Sequence, residues 1–243
     1  MKKISSKNII VTGGAKRLGK EICLFLAKKG YNIGFSYLTS EKEAILIENK
    51  IKKYDVNVFK YKADLTKVED IKNFFSYSYQ RFKNIDVLIN NASIFYRTPI
   101  DSLNEEIFDN TINTNLRSYY LCSLEVVKYM SKKRGGKIIN ISSLGGEKPY
   151  KNYLPYSVSK AGVNMLTKCL ALELAPNILV NGIAPGIIDF KNEPNSNFLP
   201  SVDKIPLKKY VSPDEITNFI YYLINSKYIT GQVFLIDGGK ILK

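Results

Sequence analysis

Tyr156 and Lys160 stand four positions apart, which on a helix puts them one turn from each other on the same face. A phenol with a pKa of about 10 exchanges its proton reluctantly at neutral pH. An ammonium beside it favours the phenolate and lowers that value, so the pair could work as a general acid. Ser143, upstream, offers a hydroxyl that could share a substrate oxygen with the phenol. The same spacing is also what an ordinary exposed helix pair produces. The chemical reading therefore depends on the elements that surround it.

Composition removes several competitors. The chain has 243 residues and no histidine, which excludes Ser-His and Cys-His catalysis and most zinc sites; no metal is expected. Cys23, Cys122 and Cys169 lie far apart in apolar helical patterns and read as reduced, buried thiols. The formal net charge is +14, but the excess is lysine scattered at helix-surface spacing rather than a focused patch. No nucleic-acid partner is expected. No apolar run of about 20 residues appears, so no membrane span is expected. The hydrophobic stretch 8–12 is too short for a signal peptide and stops at glycines. These features describe a cytoplasmic protein with a single domain over residues 1–243.

Strands and helices alternate along the chain. Residues 8–12 form a β-branched strand, followed by Gly13-Gly14-Ala15-Lys16-Arg17-Leu18-Gly19 and a helix over 20–29 that stops at Gly30. A strand, a glycine loop and a helix at the start of a chain open a dinucleotide fold, although a tight turn without a ligand has the same appearance. Gly13 permits the turn, Gly19 permits close approach, and the helix N-terminus offers free N–H groups to a pyrophosphate. The second strand, 31–36, ends in Ser36-Tyr37-Leu38-Thr39-Ser40 with no acid before Glu41. An acid there would accept from the ribose 2′-OH of NAD. Hydroxyls at Tyr37, Thr39 and Ser40, with Lys16 and Arg17 nearby, suit a 2′-phosphate instead, so NADPH is the expected cofactor. Glu41 reads as a first-turn helix charge.

Asp64-Leu65 closes a third strand and Asn90-Asn91-Ala92-Ser93 a fourth; two Asn after a strand could simply form a turn. One long helix covers 104–130 with Asn115 inside it, either satisfied locally or performing a task. A fifth strand, 137–142, leads to Ser143 and then to the helix of Tyr156 and Lys160. A sixth, 177–184, ends at Pro185-Gly186; residues 189–209 are irregular, with Pro194, Pro200 and Pro206. Ser212-Pro213 starts a last helix, and the strand 232–236 precedes Asp237-Gly238-Gly239. The pattern predicts an α/β, single-domain Rossmann architecture, a doubly wound parallel sheet of about seven strands. Its ligand edge is the carboxyl end of the strands, where the polar candidates collect.

Taken together, Thr12-Gly13 through Leu18-Gly19, Asp64, Asn90-Asn91-Ala92, Asn115, Ser143, Tyr156-x-x-x-Lys160, Pro185-Gly186 and Asp237-Gly238-Gly239 resemble the short-chain dehydrogenase/reductase family over essentially the whole chain. The resemblance implies a nicotinamide cofactor and catalysis by Asn115, Ser143, Tyr156 and Lys160. In that scheme Tyr156 donates a proton, Ser143 stabilises the developing charge, Lys160 lowers the Tyr156 pKa and holds the ribose, and Asn115 anchors a water. Cofactor contacts are implied at Gly13, Lys16, Arg17, Leu18, Gly19, Tyr37, Thr39, Ser40, Asp64, Leu65, Asn91, Ala92, Pro185, Gly186 and Ile188, as well as at Tyr156 and Lys160. A homotetramer, or a homodimer, built through the long helices and the last strand is implied as well.

Two departures stand out. Arg17 replaces the middle glycine of TGxxxGxG, and Ser93 replaces the glycine of NNAG. Both are similar to the pteridine reductase branch, as is the run 91–99, in which Ser93 and Phe95 are the substrate candidates. Pteridine reductases commonly carry Asp where this chain has Ser143, the usual choice for a ketone or β-ketoacyl group. The first expectation is thus an NADPH-dependent pteridine (dihydropterin or dihydrofolate) reductase acting on a small molecule. The alternative is a 3-oxoacyl-[acyl-carrier-protein] reductase or another ketone reductase, with acyl carrier protein as a partner only in that case. A non-catalytic NADPH sensor is a third possibility, opposed by the complete Asn115, Ser143, Tyr156, Lys160 set.

Overall fold

A computed structural model describes residues 7–131, 135–190 and 201–243. Its centre is one seven-stranded sheet in the order β3-β2-β1-β4-β5-β6-β7. The strands are β1 (Asn8–Val11), β2 (Asn32–Tyr37), β3 (Val58–Lys62), β4 (Val87–Asn90), β5 (Gly136–Ile141), β6 (Ile178–Pro185) and β7 (Val233–Ile236). All neighbours pair in parallel. The expected α/β fold is the observed one.

The sheet is covered on both faces, which is why its central strands read as unbroken apolar runs rather than alternating ones. Successive side chains of β1 point to opposite faces. Ile9 and Val11 join a core with α1 (Arg17–Lys28), α2 (Glu41–Ile51) and α7 (Pro213–Asn225). Ile10, between them, joins a second core with α3 (Val68–Phe82), α5 (Ser118–Val127) and α6 (Leu154–Leu174). Burying one such aliphatic side chain stabilises the fold by roughly 1.5–3 kcal/mol. The chain reverses its direction of winding between β1 and β4, which opens a crevice at their carboxyl ends.

The helix expected over 104–130 is not continuous. Asn104 caps α4 (Glu105–Ile112), accepting from Ile107 N–H at 2.9 Å. A π turn at Asn113–Arg117 follows, and only then α5. The extra residue in the turn leaves Asn115 fully buried. Periodicity cannot register one inserted residue between two helices of the same apolar face. Cys169, on α6, is exposed, while Cys23 and Cys122 are buried as expected. Pro194 and Pro200, expected in the irregular stretch, lie outside the described residues, as does Arg134; Val202–Lys204 forms a short 3-10 turn. No helix among the described residues is long and apolar enough to cross a membrane.

Candidate active site

The glycine loop is braced from two sides. Ser36 Oγ accepts from Gly13 N–H at 3.1 Å, and its carbonyl accepts from Gly14 N–H at 2.9 Å. On the other side Thr12 Oγ1 accepts from the N–H groups of Asn91 and Ala92 at 2.8 and 3.1 Å. Asn91 Nδ2 returns two bonds, to the carbonyls of Thr12 and Gly13. The Asn91 side chain therefore shapes the loop. Gly13 has φ +66°, and a Cβ there would lie 2.9 Å from Ala92 Cα. A Cβ on Gly19 would lie 2.1 Å from the Gly13 carbonyl oxygen, so the close approach is to the loop itself. Arg17, in the family's glycine position, has φ +48° and adopts the left-handed conformation that a glycine takes freely.

This cradle fits the pyrophosphate of a dinucleotide. Lys16, at the N-cap of α1, makes no side-chain cap, and the first turn of α1 has no acid. The positive end of the helix dipole therefore favours an anion there. Beside it a cavity of about 500 Å³ is lined by Lys16, Arg17, Lys20, Glu43 and Lys50 among others. Lys16 Nζ meets Glu43 at 2.9 Å across it. Thr39 is exposed and Ser40 half-buried at the end of β2. Tyr37 is turned inward, and its hydroxyl donates to Glu41 at 3.2 Å. Glu41 is in the first turn of α2 as expected. The carboxylate of Asp64 caps its own turn, accepting from the N–H and hydroxyl of Thr66, with Leu65 buried next to it. Leu18 is buried in α1. Gly186 N–H donates to Ile236 O at 2.9 Å, fixing the end of β6 after Pro185, and Ile188 bridges to Val211.

Ser143 is the second residue after β5, and its Oγ accepts from Gly145 N–H at 3.0 Å. Tyr156, in the first turn of α6, brings its ring to the same turn: a Cβ on Gly145 would lie 3.2 Å from its Cε1. One turn on, Lys160 is 1% exposed, and its ammonium donates to Ile141 O at 2.9 Å. Tyr119, a fully buried tyrosine of α5, donates to the same carbonyl at 3.2 Å. Lys160 Nζ lies 5.1 Å from the centre of the Tyr119 ring and 5.8 Å from that of Tyr156. Ser142 and Asn164 tie α6 to β5, the single Ser142 hydroxyl proton lying within reach of both Lys160 O and Asn164 Oδ1. Sequence reading missed Tyr119, Ser142 and Asn164; a polar residue inside an apolar helical run, as at Asn164, was the available signal.

The electrostatics run against the expectation that Lys160 lowers the Tyr156 pKa. Burial pushes the Tyr156 phenol up to about 12, and the nearby Ser143 hydroxyl offsets only part of that. Burial likewise pulls Lys160 down to about 7. Among the described residues no carboxylate hydrogen-bonds Lys160, and desolvation dominates both groups. The sign for stability follows. Between about 7 and 10.5 the unfolded chain holds a proton on Lys160 that the folded chain has released. Stability from this group therefore rises with pH across that window. Lys137, lowered to about 8 chiefly by burial, acts in the same direction. We expect the melting temperature to climb from pH 6 to pH 9. Lys160→Met should flatten the climb and melt higher than wild type at pH 6; thermal unfolding of both proteins across that range checks it.

Asn115 Oδ1 accepts from Ile94 N–H at 2.8 Å, while its Nδ2 donates to Ile94 O and to Ser159 Oγ. Its side chain thus joins the loop after β4 to α6. That loop carries the substrate candidates. Ser93 is exposed, and its hydroxyl donates to Ile94 O at 3.4 Å. The Phe95 ring stacks on Tyr153, with centroids 4.4 Å apart and 5° between planes, and meets Tyr156 edge-on at 4.6 Å. Thr98 N–H donates to Asn152 O at 2.7 Å and locks this loop to the one before α6. Tyr153, which no motif singled out, thereby becomes part of the wall. The structure brings Asn115, Ser143, Tyr156, Lys160 and Phe95 together at the sheet edge that also holds the glycine loop.

A parallel sheet with a glycine cradle at β1 and a Ser-Tyr-Lys group after β5 defines a dinucleotide-dependent oxidoreductase. The chain matches the family described as short chain dehydrogenase over residues 7–197; it belongs to that family and is an oxidoreductase of it. Among curated relatives it is 34% identical over 240 residues to the 3-oxoacyl-[acyl-carrier-protein] reductase FabG of Staphylococcus epidermidis, covering 96% of this chain and 98% of that one. It is 32% identical over 246 residues to the 3-oxoacyl-[acyl-carrier-protein] reductase of Synechocystis sp., covering both in full. Among solved structures it superposes on a short-chain dehydrogenase/reductase from Serratia marcescens with TM-score 0.89 at 30% identity, covering 97% and 98% of the two chains. With acetoin dehydrogenase YohF from Salmonella typhimurium the TM-score is 0.88 at 30% identity, and 98% of each chain is covered.

Proposed function

We propose that this protein is an NADPH-dependent reductase of 3-oxoacyl thioesters. The observation that carries the reading is the grouping of Ser143, whose Oγ accepts from Gly145 N–H, with the Tyr156 ring packed against Gly145 and Lys160 Nζ 5.8 Å from that ring one helical turn on. NADPH, when bound, supplies hydride to the carbonyl carbon. The remaining tasks fall to this chain. Tyr156, kept protonated by burial, gives its proton to the developing alkoxide. Ser143 stabilises that charge through a second hydrogen bond. Lys160 shares the Ile141 carbonyl with Tyr119, which points its ammonium along the face of α6 toward Tyr156 and a cofactor ribose. The side chain of Asn115 is committed to Ile94 and Ser159, so a water-holding role falls to its main-chain carbonyl in the π turn.

Two further points support the thioester over the pteridine. Ser, not Asp, occupies position 143, and the curated relatives named above are 3-oxoacyl-[acyl-carrier-protein] reductases. The net charge of +14 suits an acidic carrier protein. Apolar side chains exposed on α5 and α6, including Leu124, Met165 and Leu172, suit the implied homotetramer. The pteridine reading keeps one favouring observation: the exposed, flat face set by Phe95 and Tyr153. Oxidation of NADPH with acetoacetyl-CoA, dihydrobiopterin and dihydrofolate, run in parallel, separates them. Turnover with acetoacetyl-CoA alone is expected; turnover confined to the pterins would overturn the reading.

Cofactor choice is read at Lys16. With its partner Glu43 and the neighbouring Arg17, it borders the cavity between α1 and α2 where a 2′-phosphate would sit. Lys16→Ala is expected to lower kcat/KM for NADPH about tenfold, the worth of one charged hydrogen bond, and to leave NADH nearly unchanged. Paired kinetics with the two cofactors measure it.

A further inference from the structure

At the sheet edge opposite the active site, a cavity of about 340 Å³ opens beside the amino ends of β1, β4, β5 and β6. The end of α7 closes it, and Lys7, Lys137 and Ser226 line it. Measured along β5, Lys137 is about 20 Å from Ser143. The chemistry described above uses none of these residues.

The last carbonyls of α7 lack helical partners and form the negative end of its dipole, which draws cations. Lys137 Nζ donates to Leu223 O at 2.9 Å and to Ser226 O. Lys7 Nζ donates to Ile224 O at 3.0 Å and to Asn225 Oδ1 at 3.3 Å. None of these four acceptors is a carboxylate. An ammonium carries three protons, so each lysine keeps one that has no partner among the described residues. Asp86, the acid of the lining, is committed elsewhere: it accepts from Asn8 N–H at 2.8 Å and from Asn84 Nδ2 at 2.7 Å. The two ammonium groups repel each other, and Lys7 adds to the burial that lowers Lys137. Ser226 Oγ is buried and has no hydrogen-bond partner among the described residues. Such a hydroxyl is costly unless something arrives to accept its proton. Capping of α7 accounts for the lysines, but not for the orphaned hydroxyl or for the space beside it.

We propose that this cavity is a binding site for a phosphate group, held by Lys7, Lys137 and Ser226. Phosphate carries close to two negative charges at neutral pH and presents three acceptor oxygens. That matches two ammonium groups and three uncommitted protons, whereas a monocarboxylate supplies half the charge. Lys227, exposed at the rim, adds attraction for an anion. The volume lies at the lower end of small-molecule pockets, roughly 300–1,000 Å³, so a small phosphomonoester fits as inorganic phosphate does.

Calorimetric titration of the full chain at constant ionic strength, with inorganic phosphate, glycerol phosphate and acetate in turn, tests the site. Phosphate should bind at least about tenfold more tightly than acetate. Whichever phosphate binds more tightly identifies the source, free ion or phosphomonoester. Ser226→Ala removes only the orphaned hydroxyl. It should weaken phosphate about tenfold, the worth of one hydrogen bond to a charged group, and melt no lower than wild type. Lys137→Met should weaken it further; if that variant fails to fold, Ser226→Ala decides. In crystals soaked with tungstate, a peak should lie among Lys7, Lys137 and Ser226. No phosphate binding, acetate binding as tight as phosphate, wild-type affinity in Ser226→Ala, or tungstate confined to the glycine loop would overturn the proposal. Turnover enters none of these measurements, so they stand apart from the substrate reading.

Discussion

Tyr156→Phe is expected to lower turnover by about 1,000-fold while leaving NADPH binding within a factor of about three. A positioned general acid contributes roughly 10²–10⁴-fold, and neither Lys160 nor Ser143 can replace this one. Lys160 donates to Ile141 O, and Ser143 retains its proton too strongly to surrender it. The phenylalanine ring preserves the edge contact with Phe95 and the position of Tyr156 in the first turn of α6. Loss of rate therefore reports chemistry, not packing. Steady-state kinetics, with NADPH affinity measured by titration of its fluorescence, gives both numbers. Activity within tenfold of wild type would mean that the proton comes from elsewhere.

Gly19→Ala is expected to cost at least 100-fold in NADPH affinity and to lower stability by about 1–3 kcal/mol, the range for forcing a methyl group into closed packing. Its Cβ would lie 2.1 Å from the Gly13 carbonyl oxygen and 2.7 Å from Asn91 Nδ2. The first neighbour is backbone, and the second is the side chain that donates to the carbonyls of Thr12 and Gly13. Neither can yield without opening the loop that approaches the pyrophosphate. Chemical denaturation together with a cofactor titration separates the two effects. An unchanged Kd would show that the loop does not hold the cofactor.

The sheet could be read from the chain because its strands are short apolar runs enclosed between helices of clear period, as at Ile9-Ile10-Val11. Ser143, Tyr156 and Lys160 could be read because each follows a strand end or keeps a helical spacing. What escaped reading depends on three-dimensional neighbours. The π turn at Asn113–Arg117 adds one residue without breaking the apolar face. The anchoring of Lys160 depends on a backbone carbonyl, Ile141 O, which every sequence supplies. The net pKa direction at Tyr156 is opposite to the one its spacing from Lys160 suggested, because proximity is visible in a spacing and burial is not. Tyr150 and Tyr153 stood in a loop rich in polar residues, and only the stacking of Phe95 on Tyr153 marks that loop as a wall. Motif departures at Arg17 and Ser93 pointed to the pteridine branch. Arg17 lies in the glycine loop and Ser93 on the exposed loop after β4, whereas Ser143 lies on the turn against which Tyr156 packs.

The most direct test of the account is the fate of the hydride. Wild-type protein is incubated with acetoacetyl-CoA and NADPH deuterated on the transferring face of its nicotinamide, and the acyl product is examined by mass spectrometry. One deuterium at C3 of a 3-hydroxybutyryl thioester is the result predicted. Unreduced acetoacetyl-CoA beside a deuterated tetrahydropterin, when dihydrobiopterin is supplied in the same reaction, would contradict it.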